Sequence, residues 1–428
     1  MRAVATRWRT TPLPRREGGA VLLAQQAAPA FIAAAVFLAP YISRRPFELM
    51  LTVSDMLFFC GAGLLLLGKR LPSQPLGAFT VNWLMCFLLM LFGLLVGSLV
   101  NGDPIRWLVA GVQYGFTFVV LPFLLMGHGE ARTISLAKAL VLGVFCMELF
   151  GAALYYGWDG SYEDFKQIGP EFVTGARRLG AFLADANWNS AVVAMTMPFV
   201  FFLRMRRKIG QITAAVAMGV LALGIILSAS FTGFASGVIA IVIFMLVGGI
   251  RPSLKWVIAG AGAATMLLAT YGLPQAFEKR VAPALEQGDV TQAGTYAARV
   301  GLIGEAWEIV DNTTFVGIGV DQYRTISAWK APVHNMYLLL WAEGGVLSLL
   351  GWIGMMLVLL AGAALVLARD RLASALALSV LSTFLITSTA SPHMYARVWL
   401  VPIFIAMAFV FEAMGRPAER PRPDMRRG

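Results

Sequence analysis

About twelve runs of roughly twenty apolar residues punctuate this chain, at 21–42, 48–68, 79–100, 105–126, 134–156, 187–203, 210–228, 232–250, 255–273, 337–368, 373–390 and 396–414. A helical run of that length spans the hydrocarbon core of a bilayer, so the pattern predicts an all-α integral membrane protein with about twelve transmembrane helices. Composition agrees, because a mean hydropathy of +0.73 with 13% charged residues is too apolar for a soluble domain. The run 337–368 exceeds one crossing, which predicts that its first turns lie at the interface or tilt before the helix crosses. Cys60, Cys86 and Cys146 all fall inside apolar runs, which argues against a disulfide framework and against a cysteine-based metal site.

Orientation follows from Lys and Arg in the short connections. The N-terminal tail, "GKRLPSQP", "HGEARTISLAK", "RMRRK", "RPSLK", "RDR" and the C-terminal tail together hold 22 of the 34 basic residues, which predicts that this set is cytoplasmic. The basic segment 1–20 reads as a retained cytoplasmic tail, 21–414 as one polytopic domain and 415–428 as a second cytoplasmic tail. The alternate connections then face outward, into the periplasm if the membrane is a bacterial inner membrane. Two of them are long, 157–186 and 274–335. The +11 net charge therefore reflects topology, and no basic patch with interleaved aromatics points to nucleic acid.

Segment 274–335 carries five basic and seven acidic residues, so the topology rule does not explain an arginine there. Within it, "AARVGLIGEAWEIV" reads as an amphipathic helix with Val300, Ile303 and Trp307 on one stripe, suited to lying on the outer leaflet. Three outward positions carry candidate chemistry: Arg178 beside Arg177, Arg299 on the loop helix, and His334 at the loop's end. Guanidinium groups form bidentate, charge-assisted hydrogen bonds to phosphate oxygens, and these sites lie at the headgroup level where a lipid-linked diphosphate would be. Pairing with nearby acids or lipid headgroups is the competing reading for each arginine. The sequence has no D-x-D pair and no His/Cys cluster at metal-ligand spacing, so neither a metal nor another cofactor is expected.

His334 follows Pro332 and precedes Asn335 and Tyr337 at the start of an apolar helix. The helix terminus and nearby arginines disfavour imidazolium, so a neutral ring able to act as a general base is expected. A histidine that only caps its helix is the alternative. His128 and His393, the latter near Arg397, are expected to be structural. Asp55 and Glu148 fall seven or eight residues inside predicted spans, roughly 10 Å below the outward interface at 1.5 Å per residue, where they would orient the arginines, line the acceptor path, or bond a neighbouring helix.

With these residues in view, the chain resembles the O-antigen ligase superfamily, which includes O-antigen and exopolysaccharide polymerases. The matching pieces, in order, are "RRLGAFLADANWNSAVVAMTMPF", "ARVGLIGEAWEIVDNTTFVGIGVDQY" and "HNMYLLLWAEGGVLSLLGW". The resemblance implies a glycosyltransferase type C-like, metal-independent, inverting enzyme. Its donor would be a glycan on undecaprenyl diphosphate, and its acceptor a lipid A-core sugar or another lipid-linked glycan, both met among membrane lipids. It implies that Arg178 and Arg299 hold the diphosphate while His334 assists the acceptor hydroxyl; from their positions, Arg177, Arg324, Asn335, Tyr337, Asp55 and Glu148 are expected as further substrate contacts. Many members carry a serine followed by arginine after the seventh span, whereas this chain has "SASFTGFASG", leaving Arg324 as a weak substitute. A secondary transporter using Asp55 or Glu148 for coupling, and a non-catalytic scaffold of an envelope glycan complex, are the rival classes.

Overall fold

The computed structural model describes residues 19–43, 51–251, 272–289, 291, 296–392 and 395–416. The predicted span 255–273 lies almost wholly outside them, as do His393 and most of both tails. Among the described residues ten helices are long and apolar enough to cross a membrane: Gly19–Leu38, Gly77–Val100, Pro104–Leu125, Glu130–Gly157, Ala186–Met205, Gln211–Ser228, Phe231–Gly248, Met336–Val366, Arg371–Ser388 and Arg397–Gly415. The chain is an all-α integral membrane protein, and the described residues contain no strand beyond an isolated bridge between Val173 and Leu179.

The run at 48–68 forms a shorter helix, Val53–Leu67, of 15 residues. Its start is set by a capping box, in which Thr52 and Asp55 each accept a hydrogen bond from the other's backbone N–H. Asp55 therefore sits in the first turn and not deep in a span, which corrects the sequence expectation.

Glycines set the closest helix packing. Gly93 and Gly97 form a small-x-x-x-small pair on the helix Thr80–Val100, and a Cβ at either would lie 2.6 Å from backbone of the segment Glu343–Ser348. In lipid, where no solvent drives helices together, such backbone approach supplies the van der Waals contact that does. Within Pro104–Leu125, Pro122 cannot donate to the carbonyl of Phe118, and the indole of Trp83 donates to it instead at 2.7 Å.

The long run near the C-terminal third is two helices joined at a break. Met336–Val366 is interrupted at Gly345, whose φ of +67° favours glycine. The freed backbone groups pair with the preceding loop: Val346 N–H donates to Thr314 O at 2.9 Å, while Ala342 O and Glu343 O accept from Ile318 and Gly319 N–H. A first segment of about two turns thus ends at the loop and a second crosses, in accord with the excess length of the run.

The helix Ala186–Met205 relates the two ends of the bundle. Arg178 and Asp185 lie at its start; at its finish Arg206 pairs with Asp370. Near that finish the short basic connections also join, through Arg369 to Met414 O, Arg371 to Val247 O and Arg416 to Glu130. At roughly 1.5 Å per residue the two ends stand about 30 Å apart.

Candidate active site

The first wall of the site is the turn 174–178. Thr174 N–H donates to Arg178 O, Arg178 N–H donates to Thr174 Oγ1, and Arg177 closes the turn with a φ of +52°. Adjacent arginines consequently diverge. Arg177 is exposed, donates to Tyr155 O at 3.2 Å and lies 5.3 Å from the Tyr155 ring centroid. Arg178 is buried, with Nε donating to Ser228 O at 2.9 Å and Nη2 to Asn187 Oδ1 at 2.8 Å. The expectation that Arg177 shares the site is therefore not met.

Asp185 caps the helix Ala186–Met205, its Oδ1 accepting from Asn187 N–H at 2.6 Å and Trp188 N–H at 3.0 Å. Asn187 then lines a small crevice with Ser230, Thr232, Arg299, Thr387 and Ser391. Arg178 and Arg299 are thus brought to one place.

Arg280 joins them. It ends the short helix Gln275–Arg280, which packs through Ala276, Phe277 and Val281 on Ala229, Ile226, Phe231 and Phe234. That turn is "SASF", the place where the sequence has no basic residue of its own. Arg280 Nε is buried and unbonded among the described residues, and neither Arg280 nor Arg299 forms an ion pair within 4 Å with a described acid. Nothing in composition marks Arg280 out from the other basic residues of its loop.

The charges of this cluster act on one another. Burial, then the charge of Arg280, pushes the Arg178 guanidinium down to about 10, with Asp185 opposing and Arg299 reinforcing; it remains cationic at neutral pH. Arg299 is lowered chiefly by burial, with Asp185 again opposing. His334 is lowered by burial first and by Arg299 second, against the pull of Asp185, so its ring is neutral near pH 7. Burial is the main cause of that shift.

Asn335, not His334, caps the helix. Its Oδ1 accepts from Tyr337 N–H at 3.0 Å and Leu338 N–H at 3.1 Å, which commits that oxygen to the backbone. The Tyr337 ring packs on the main apolar core. No described residue hydrogen-bonds the His334 ring, leaving it available to a ligand.

The loop helix Tyr296–Asn312 packs by Leu302, Ala306 and Val310 on Tyr323, Val333, Leu338 and Leu339, so its buried stripe differs from the predicted one. Val300 and Trp307 remain exposed. Two acids that the sequence reading passes over hold this unit together. Glu305 accepts from Ser327 Oγ and Ala328 N–H, each at 2.7 Å, and buried Glu343, at the helix break, accepts from Tyr323 N–H at 3.4 Å.

The remaining candidates lie elsewhere. Arg324 pairs with Asp321 at 2.5 Å in an exposed group that includes Arg106, so it does not replace a third site arginine. Asp55 pairs with Arg397 at 2.5 Å. Glu148 is buried in its span as expected, against Gly224 and near Asn189, whose Nδ2 donates to Ser228 Oγ just behind Arg178. His128 bonds Phe123 O at 3.0 Å, close to the basic end. Among the described residues no group of three or more His, Cys, Asp or Glu is placed to hold a metal.

Residues 215–353 match the family model described as O-Antigen ligase. The matched stretch is about a third of the chain, and what it shows is similarity to that family. The matched stretch includes Arg280, Arg299, His334 and the break at Gly345, while Arg178 and Asp185 precede it. Over that stretch the chain is similar to O-antigen ligases, and its ten apolar helices are those of a multi-pass membrane protein. No curated protein matches the chain.

Proposed function

We propose that the protein is a metal-independent, inverting glycosyltransferase of the bacterial inner membrane, which moves a glycan from undecaprenyl diphosphate to an acceptor sugar at the periplasmic face. The observation that carries this reading is the convergence of Arg178, Arg280 and Arg299 beside a neutral His334. Three cations, Arg178 buried and Arg280 and Arg299 half-buried, against one acid leave a local excess of positive charge suited to a diphosphate. The short basic connections at the far end of the bundle support a periplasmic site.

In this mechanism an acceptor hydroxyl oxygen attacks the anomeric carbon as the bond from that carbon to the diphosphate oxygen breaks. His334 takes the hydroxyl proton, and the arginines stabilise the charge that grows on the leaving diphosphate. Asp185 tempers repulsion among the arginines while holding Asn187 in place. Attack and departure on opposite faces invert the anomeric centre.

The test is purified protein with an undecaprenyl-diphosphate oligosaccharide, with and without lipid A-core, in the presence of a chelator. A ladder from donor alone identifies a polymerase, and one transfer dependent on lipid A-core identifies a ligase. Folded protein that yields neither product overturns the reading.

A further inference from the structure

A second groove opens at the loop end of the bundle, between the end of the helix Thr80–Val100 and the segment 311–326. It encloses about 760 Å³, a size typical of small-molecule sites. Its polar lining is Asn101, Asp311, Asn312, Thr313, Thr314 and Gln322, with no Lys, Arg or His, so a phosphate or an anionic headgroup would find no counter-charge.

About half of the side-chain donors in that lining are committed already. Asn101 Nδ2 donates to Gly317 O, Asn312 Nδ2 to Glu308 O, Thr313 Oγ1 to Ile309 O and Thr314 Oγ1 to Val310 O. What remains toward the groove is a mixed set: amide N–H groups with amide oxygens, hydroxyl lone pairs and the Asp311 carboxylate as acceptors. Phe315, 77% exposed, and Ile326, 53% exposed, add apolar surface beside these acceptors. A ligand that both donates and accepts hydrogen bonds, carries no negative charge and presents flat C–H faces fits this combination; a pyranose chain has all three properties.

The helix Tyr296–Asn312 sets the spacing, with Arg299 in its first turn and Asp311 and Asn312 in its last. Thirteen residues at 1.5 Å each separate Arg299 from Asn312 by about 20 Å. We propose that this groove is a saccharide-binding subsite, which holds a stretch of glycan about 20 Å from the reacting centre. The inference rests on the transferase reading for the source of that glycan. Anchoring a chain on the same rigid helix that carries Arg299 would fix how its reacting end approaches the diphosphate.

The test uses the full-length protein in nanodiscs and isothermal titration with two probes from the source cell: repeat-unit oligomers of its surface polysaccharide, and the core oligosaccharide freed of lipid A. One of them is expected to bind, which tells donor-derived from acceptor glycan. The double variant Asp311→Ala/Asn312→Ala should weaken that binding by about tenfold or more. Phe315→Ala, at a highly exposed position, should weaken it by about threefold. Failure of both probes to bind, or wild-type affinity in both groove variants, overturns the proposal. The two readings fail separately: glycan transfer with unaltered probe binding in the variants removes the groove alone, and groove-dependent binding without transfer from any donor removes the transferase alone.

Discussion

Arg178 and Arg299 meet across Asn187: Arg178 Nη2 donates to Asn187 Oδ1 at 2.8 Å, and Asn187 shares one crevice with Arg299. The two cations come from distant loops and are held together, with Arg280, against their own repulsion. Asp185 is the acid whose charge opposes that repulsion at both. An arriving anion relieves the rest, which is how a preformed site favours charge that appears only as the donor bond breaks.

Arg178→Lys is expected to lower the transfer rate by about 10²–10³, the range seen when one preorganised donor to a developing anion is removed. An ammonium cannot keep both the bond to Ser228 O and the bond to Asn187 while presenting a planar fork to phosphate. Transfer assays normalised to membrane-inserted protein provide the check; wild-type turnover would remove Arg178 from the site.

Arg280→Ala and Arg324→Ala separate the geometric reading from the sequence-based one. Arg280 has a buried, unbonded Nε beside two other cations, whereas Arg324 sits in an exposed pair worth about 0–1 kcal/mol. Transfer should fall by about tenfold or more in the first and stay near wild type in the second. The reverse order in the same assay would move the third cation to the Asp321 group.

Much of this site is legible in the sequence because a polar residue beside an apolar run is conspicuous: burying it is costly, so Arg178 and His334 stand out at span boundaries. Arg280 does not stand out, since only the packing of Ala276, Phe277 and Val281 on the turn after Ser228 brings it to the cluster. The split of Arg177 from Arg178 depends on one positive φ, which composition does not encode. The place of Asp55 in a first turn is legible too, because Thr52 three residues before it marks a helix start. The Gly344–Gly345 pair likewise signals the break within the run 337–368.

The acid limb of the transfer rate reports on His334. Its folded-state value lies below the usual 6.5, so the ring stays neutral and active as pH falls through 7, and transfer declines only below about pH 6.5. Asp185 favours imidazolium, so Asp185→Asn should move the limb further toward acid while keeping the helix cap, which Asn also forms. A limb above 6.5, or one that moves toward alkaline pH in the variant, speaks against His334 as the base.

Asp55→Asn is expected to reduce stability and leave chemistry alone. The Asp55 side chain is 2% exposed and pairs with Arg397, and removing one member of a buried pair costs about 3–5 kcal/mol. Thermal unfolding in detergent should show the loss, while the rate per folded molecule matches wild type. A rate defect at full stability would return Asp55 to the substrate path.

Gly345→Ala tests whether the broken helix positions the base. A Cβ at Gly345 would lie 2.2 Å from Phe315 O, and the φ of +67° adds strain of about 1–2 kcal/mol for any L side chain. The loop strand 314–319 must then withdraw, exposing the N–H groups of Ile318, Gly319 and Val346 that now pair across the break. Amide hydrogen exchange should quicken at those positions and transfer should fall, because the helix turns that directly follow His334 and Asn335 rest on the same loop helix as Arg299. Faster exchange with unchanged transfer would show that the break serves insertion or stability and not the placement of His334.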